Sequence, residues 1–243
     1  MKRLSIIVAI MLLGISTMNA QWFGSKTIKG NGKMTSEKRS TGNYEGVALV
    51  GSMNVELIAG KEGALTIEGE SNLLEYITTV VENGKLKISV EKGVSIQSSN
   101  NKTIKITVPF EDINEVTLTG SGDIWNKDRI KSEYLTVNVT GSGDIKLNIY
   151  AKEVKSGVTG SGDIMLSGST KSLNCAVTGS GDFQAFQLNA EDVEAAVSGS
   201  GDIEVSASKS LEAKVSGSGD ITYKGNPEKQ NFKTFGSGDI SKY

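Results

Sequence analysis

The 243-residue chain contains no histidine, one cysteine and two prolines, and aromatic side chains make up only 6% of it. Each shortage excludes something. Without histidine there is no imidazole general base, no histidine-activated nucleophile and no ordinary histidine zinc site. Cys175 stands alone and cannot close an internal disulfide, so packing and hydrogen bonds must hold the chain together. An excess of either charge is also missing. Lys and Arg number 26 against 28 Asp and Glu, a net charge of -2 with no basic patch, which argues against nucleic acid as a partner. Finally, the one long apolar run, Leu4 to Ile15, is shorter than the roughly 20 residues a transmembrane helix needs. Lys2 and Arg3 precede it and small or polar residues follow it to Ala20, the pattern of a secretory signal peptide over 1–20. No cysteine lies near the cleavage point, so lipid attachment through a processed N-terminal Cys is not expected.

What the chain does have is glycine, 29 of them, and aliphatic residues in alternation. Residues 21–43 are polar and glycine-rich without sustained periodicity and read as a flexible leader, with Trp22 and Phe23 loosely ordered beside the processed terminus. From 44 to 112 the apolar residues alternate in short runs: Val47 and Leu49, Val55 and Leu57, Leu65 and Ile67, Leu86 to Val90, Ile104 to Val108. Period two means strands with one buried face. Asn83-Gly84, between two such runs, predicts a two-residue hairpin because both central positions take positive φ. The stretch SNLLEYITTV is ambiguous between a short helix and a strand, and KGVSIQSSNNKT reads as a polar loop.

The region 113–243 is governed by a repeat. The tetrapeptide GSGD has its first glycine at Gly120, Gly141, Gly160, Gly179, Gly199, Gly217 and Gly236. Its second glycine falls at Gly122, Gly143, Gly162, Gly181, Gly201, Gly219 and Gly238, and its aspartate at Asp123, Asp144, Asp163, Asp182, Asp202, Asp220 and Asp239. Successive intervals are 21, 19, 19, 20, 18 and 19 residues. Aliphatic residues stand two and six positions before the first glycine, for example Val158 and Val154, and four and six after it, Ile164 and Leu166. Each repeat therefore supplies two inward-facing strands joined by a tight turn, and a period near 20 means stacked units that cannot bury their apolar faces alone. The variation in interval falls in 5 to 8 residues at the other corner, such as SASKS at 206–210, read as an adjustable connection. These features predict an all-β solenoid with GSGD turns and coils of roughly 19 residues stacked about 4.8 Å apart.

A reversal within four residues needs at least one positive φ, which glycine takes without penalty, while Ser and Asp capture backbone N–H groups. Thr119, Thr140, Thr159, Thr178, Ser198 and Ser216, each just before the turn, form an outward hydroxyl column. Gly51-Ser52-Met53-Asn54 is an earlier degenerate copy of the turn, so the solenoid can begin in the N-terminal region. The last copy departs from the frame, with Thr234 in the valine slot and Phe235 in the hydroxyl column, as terminal coils do.

The aspartate column invites three readings. Each carboxylate can accept turn N–H groups, which offsets repulsion of about 1 kcal/mol per neighbouring pair. The column could bind calcium, although one glycine-rich turn per coil makes six to eight oxygen ligands hard to assemble. Or the Thr, Ser and Asp columns form a binding face for a periodic partner such as a glycan. Carboxylates about 5 Å apart also suit a retaining glycosidase, but seven equivalent sites on a convex turn lack the asymmetric cleft that catalysis needs. Cys175 sits in an inward slot elsewhere filled by Ser156, Ala195 and Ala213 and reads as a small core residue. Asn126 to Arg129 fall in the longest connection and read as a solvated bulge.

The GSGDI repeats, with the upstream segments NVELIAGKEGALTIEGESNLLEYI and NGKLKI, resemble the head GIN-domain family of autotransporter-type adhesins, over residues 44 to 240. The resemblance implies a right-handed, single-stranded β-helix with GSG turns, a pectin-lyase-like shape without the catalytic residues, and an adhesive role. It carries over no site residues. The expectation is an exported, non-enzymatic binding, adhesion or envelope-scaffold module, periplasmic or on the cell surface. It would use no cofactor and no metal. Its partner would be a protein or glycan of the envelope or host surface, with solenoid ends or edges as a route to homo-oligomers. The alternatives are a polysaccharide-active β-helix enzyme and a calcium-binding β-roll.

Overall fold

Alternation at period two becomes parallel stacking once consecutive repeats lie on one another. The computed structural model describes residues 26–100 and 102–243. The signal-peptide segment and the pair Trp22 and Phe23 lie outside the described residues. The N-terminal part holds β1 (Lys26–Lys29), β2 (Met34–Ser40), β3 (Gly46–Gly51), β4 (Asn54–Ala59), β5 (Ala64–Glu70), β6 (Ile77–Glu82), β7 (Lys85–Val90), β8 (Val94–Gln97) and β9 (Lys105–Phe110). The repeats hold β10 (Glu115–Gly120), β11 (Ile124–Asn126), β12 (Ile130–Gly141), β13 (Ile145–Gly160), β14 (Ile164–Gly179), β15 (Phe183–Gly199), β16 (Ile203–Gly217), β17 (Ile221–Lys224), β18 (Lys229–Gly236) and β19 (Ile240–Lys242).

The repeats form an all-β solenoid of in-register parallel coils. Ile145, Ile164, Phe183, Ile203, Ile221 and Ile240 pair in a line on one face. Val116, Val137, Ser156, Cys175, Ala195, Ala213 and Phe232 pair in a line on the other. The aliphatic members fill one continuous core that runs from Tyr44 to Tyr223 and so spans both sequence regions.

In the coils of β13, β14, β15 and β16 the second corner differs from the expected connection: it is paired strand, whereas residues 127–129 and 225–228 form the connections in the first and last coils. In β13, Ile145, Leu147, Ile149 and Ala151 are buried, the alternation breaks at the exposed pair Lys152 and Glu153, and it resumes at Val154, Ser156 and Val158. Two successive outward residues turn the strand onto the next face while its ladder to β14 continues through Ala151 and Glu153. Differences in coil length are absorbed as register shifts inside these strands, between Met165 and Ser167 and between Ala185 and Asn189.

At the N-terminal end the stacking does not follow chain order. β3 lies between β7 and β10, and β4 between β9 and β11, all parallel. The later segment 85–110 thus forms the outer coil, and β10 crosses to the opposite side of the coil that contains residues 46–59. Antiparallel strands close this end: β6 on β7 through the Asn83-Gly84 turn, β5 on β9, and β2 on β5. Asn83 (φ 51°) and Gly84 (φ 73°) have the backbone expected of that turn. SNLLEYITTV divides into a 3-10 helix, Leu74–Tyr76, followed by β6.

Two expectations need correction. The segment read as a flexible leader contributes β1 and β2. The segment read as a polar loop contributes β8, which pairs in parallel with β1. Both segments are short and mostly polar, and their order comes from backbone pairing together with Ile28 and Ile96, which pair with each other and pack against the core.

Candidate functional site

The GSGD corners form a continuous stack whose two glycines are demanded by different contacts. The first glycine of every copy has φ between 116° and 137°. A Cβ on the second would also lie only 1.9–2.1 Å from the carbonyl oxygen of the residue below it, a clash that no rotamer relieves. The close approach serves hydrogen bonding. The Gly141 carbonyl accepts from both the Ser161 N–H (2.8 Å) and the Gly162 N–H (3.0 Å) of the next coil, and the arrangement recurs at every corner.

The aspartates act between coils, whereas the sequence suggested capture within the turn. Oδ1 of Asp144 accepts the Asp163 N–H (3.0 Å), Asp163 accepts that of Asp182 (2.8 Å), and Asp182 that of Asp202 (2.9 Å). Asp202 and Asp220 continue the ladder to Asp220 and Asp239 at 2.8 and 2.7 Å. In the degenerate corner Asn54 does the same for the Asp123 N–H at 3.2 Å. A carboxylate aimed at an amide hydrogen is a charge-assisted acceptor, which offsets the repulsion along the column. Calcium coordination would require several oxygens to converge on one point. Among the described residues no group of three or more His, Cys, Asp or Glu side chains does so.

The hydroxyl column, Thr119, Thr140, Thr159, Thr178, Ser198 and Ser216, is exposed and in register along one face. At the second corner lies an open groove of about 360 Å³. There Asn174 donates to Glu194 (2.6 Å), Asn231 to Glu212 (3.3 Å) and the Ser210 hydroxyl to Asp192 (2.5 Å). Cys175 is buried, and its burial followed by the charge of Glu194 pushes the thiol pKa up, so it stays protonated and packs as an apolar group. The expected bulge at Asn126 to Arg129 is only partly solvated. Asn126 accepts the Asn148 N–H (2.8 Å) and donates to its carbonyl (2.7 Å), and Asp128 accepts the Ala59 N–H (2.9 Å).

Two clusters escaped sequence reasoning. Glu70 is only 1% exposed and accepts from the Gly32 N–H (2.5 Å), the Ser99 N–H (2.8 Å) and the Ser99 hydroxyl (2.6 Å). These bonds, the Ser99 hydroxyl first, outweigh burial and hold its carboxyl below the ordinary range. They tie the β1–β8 ribbon to the body. On the face opposite the hydroxyl column, Lys224 lies between two rings, 4.1 Å from the Phe186 centroid and 4.2 Å from that of Tyr243. The 20-residue interval from Gly179 to Gly199 marks the extra residue of this coil, which sets Gln187 outward directly after the outward Phe186.

With this geometry in hand, relatives become informative. Residues 43–227 match the family described as "Putative auto-transporter adhesin, head GIN domain". The chain belongs to that family. Solved structures of similar fold include a "putative adhesin" from Bacteroides fragilis, 25% identical with a TM-score of 0.82, covering 89% of this chain and 100% of that one. A "putative lipid binding protein" from Parabacteroides distasonis is 28% identical with a TM-score of 0.74, covering 90% of this chain and 100% of that one. Another "putative adhesin" of that species, at 24% identity and a TM-score of 0.71, shares the fold over 90% of this chain and 100% of its own. No curated protein matches. Membership in this family of head GIN domains supports an adhesion or binding module at that coarse level, and an adhesin-like class is an extracellular or surface-associated one.

Proposed function

We propose that the chain is an exported, non-enzymatic adhesion module that presents repeating side-chain columns to a protein or glycan of the cell envelope or a host surface. The observation that carries this reading is the in-register, exposed hydroxyl column on a face whose interior is packed with aliphatic side chains. A rigid array of like groups at one spacing suits an extended, repetitive partner, because each added coil repeats the same contact without new ordering cost. The same continuous packed core argues against housing an acyl chain inside the solenoid. The alternative enzymatic reading lacks an asymmetric carboxylate pair: the aspartates share one environment along the ladder.

The test is capture from envelope fractions and binding to immobilised glycans, comparing the wild type with a Thr159→Lys, Thr178→Lys double variant that keeps its melting temperature. A loss of at least tenfold in affinity is expected. Unchanged capture by the variant, or cleavage of a glycan by the wild type that is abolished in Asp163→Asn, would overturn it.

A further inference from the structure

The face opposite the hydroxyl column carries a groove of about 340 Å³ lined by Lys146, Gln184, Phe186, Gln187, Glu204 and Lys224. Its shape is a consequence of the register shift. β15 carries one residue more than β14 beyond Met165, so that Phe186, outward by the alternation and half-buried, is followed by a second outward residue, Gln187, before Leu188 returns to the core. The Phe186 and Tyr243 rings, 5.2 Å apart at 60°, hold the Lys224 ammonium between them. Two contacts of this kind restrict a side chain that is otherwise among the most mobile.

Among the described residues Lys224 and Lys146 form no ion pair; the five pairs present involve other lysines and one arginine. Among the described residues the cation held by the rings also donates no hydrogen bond, and Lys224 lines the groove with its ammonium N–H donors unspent. Two unpaired ammonium groups against the single carboxylate of Glu204 make the groove positive on a chain of net charge -2. Beside them stand two primary amides and the exposed part of an aromatic ring. That combination matches a sugar bearing a carboxylate: ring C–H groups against Phe186, the carboxylate on Lys224, and hydroxyls on Gln184, Gln187 and Glu204.

We propose that this groove is a binding subsite for an acidic oligosaccharide, with Lys224 as the anion-recognising residue and Phe186 as the stacking platform. The proposal rests on the reading of the chain as a binding module, and it can fail while that reading stands.

The experiment is calorimetric titration of the full chain with tetragalacturonate, and with cellotetraose as a neutral chain of the same length. Tetragalacturonate should bind while cellotetraose binds at least tenfold more weakly. Lys224→Gln and Phe186→Ala should each lower the affinity about tenfold. Added salt should weaken binding. Glu153→Gln, at the second corner, should bind like wild type, and melting temperatures show that all variants are folded. Equal affinity for the neutral chain, or no effect of Lys224→Gln, overturns the proposal. So does a polyglutamate peptide that binds as tightly with the same dependence on Lys224, which would assign the groove to acidic protein. Capture of envelope material without tetragalacturonate binding up to about 10 mM overturns this proposal and leaves the adhesion reading intact. Absence of both overturns the two together.

Discussion

The corner Gly51-Ser52-Met53-Asn54 and the seven GSGD corners bond to their neighbours in the same way, yet one carries methionine where the others carry glycine. The Gly51 carbonyl accepts the Ser121 and Gly122 N–H groups as each later corner does. What differs lies beneath. Each GSGD corner rests on another corner, whereas the coil below residues 51–54 runs from β7 to β9 through β8 and has no such turn. Met53 fills that place: it is 1% exposed, with its Cε 3.6 Å from where a Cβ on Gly51 would sit. The second glycine of the repeat is therefore a requirement of stacking, and the first is a requirement of stacking and of backbone conformation together.

Changes at four positions break or sharpen that contrast. The largest effect is expected from Gly160→Ala, where positive φ (116°) coincides with a Cβ 2.4 Å from the Gly141 carbonyl. A loss of about 4 kcal/mol or more in denaturant unfolding is expected. Met53→Ala should cost about 2–5 kcal/mol by opening a cavity under the stack. Gly51→Ala keeps the strain of φ 135° but meets only the methionine tip, so it should cost about 1–2 kcal/mol. A cost equal to that of Gly160→Ala would remove the distinction. Asp163→Ala deletes one inter-coil acceptor and should cost about 1 kcal/mol, while Asp163→Asn should cost less because Asn54 already plays that part.

The N-terminal end offers a further contrast in its response to acid. The carboxyl of Glu70 is held below its ordinary value in the folded chain, so the unfolded chain binds the proton more readily. Its contribution is present above the unfolded glutamate pKa and lost as pH falls through the folded value. Melting temperatures from neutral pH down to about pH 3 should therefore fall more steeply for wild type than for Glu70→Gln, bringing the two together at the acid end. Parallel curves would show that the carboxylate is not what ties the β1–β8 ribbon down.

Legibility followed range. The Asn83-Gly84 hairpin, the inward valines and isoleucines and the need for a positive φ within each GSGD turn are consequences of four to eight neighbouring residues, and all were readable; that the first glycine supplies it came from the structure. Glu70 was not, because its partners Gly32 and Ser99 are 38 and 29 residues away. Phe186 and Lys224 were not linked because they belong to different coils, although the uneven interval pointed to the place.

Composition and periodicity alone determined that this chain must stack, since strands with one apolar edge per short repeat have no other way to bury it. Tertiary structure decided which coil lies against which, placing 85–110 outside 46–59, closing one end with antiparallel strands and bringing an ammonium between two rings. The physical reason is that alternation marks the face a residue must hide, while the choice among chemically similar neighbours is settled only by the burial and backbone pairing of the whole.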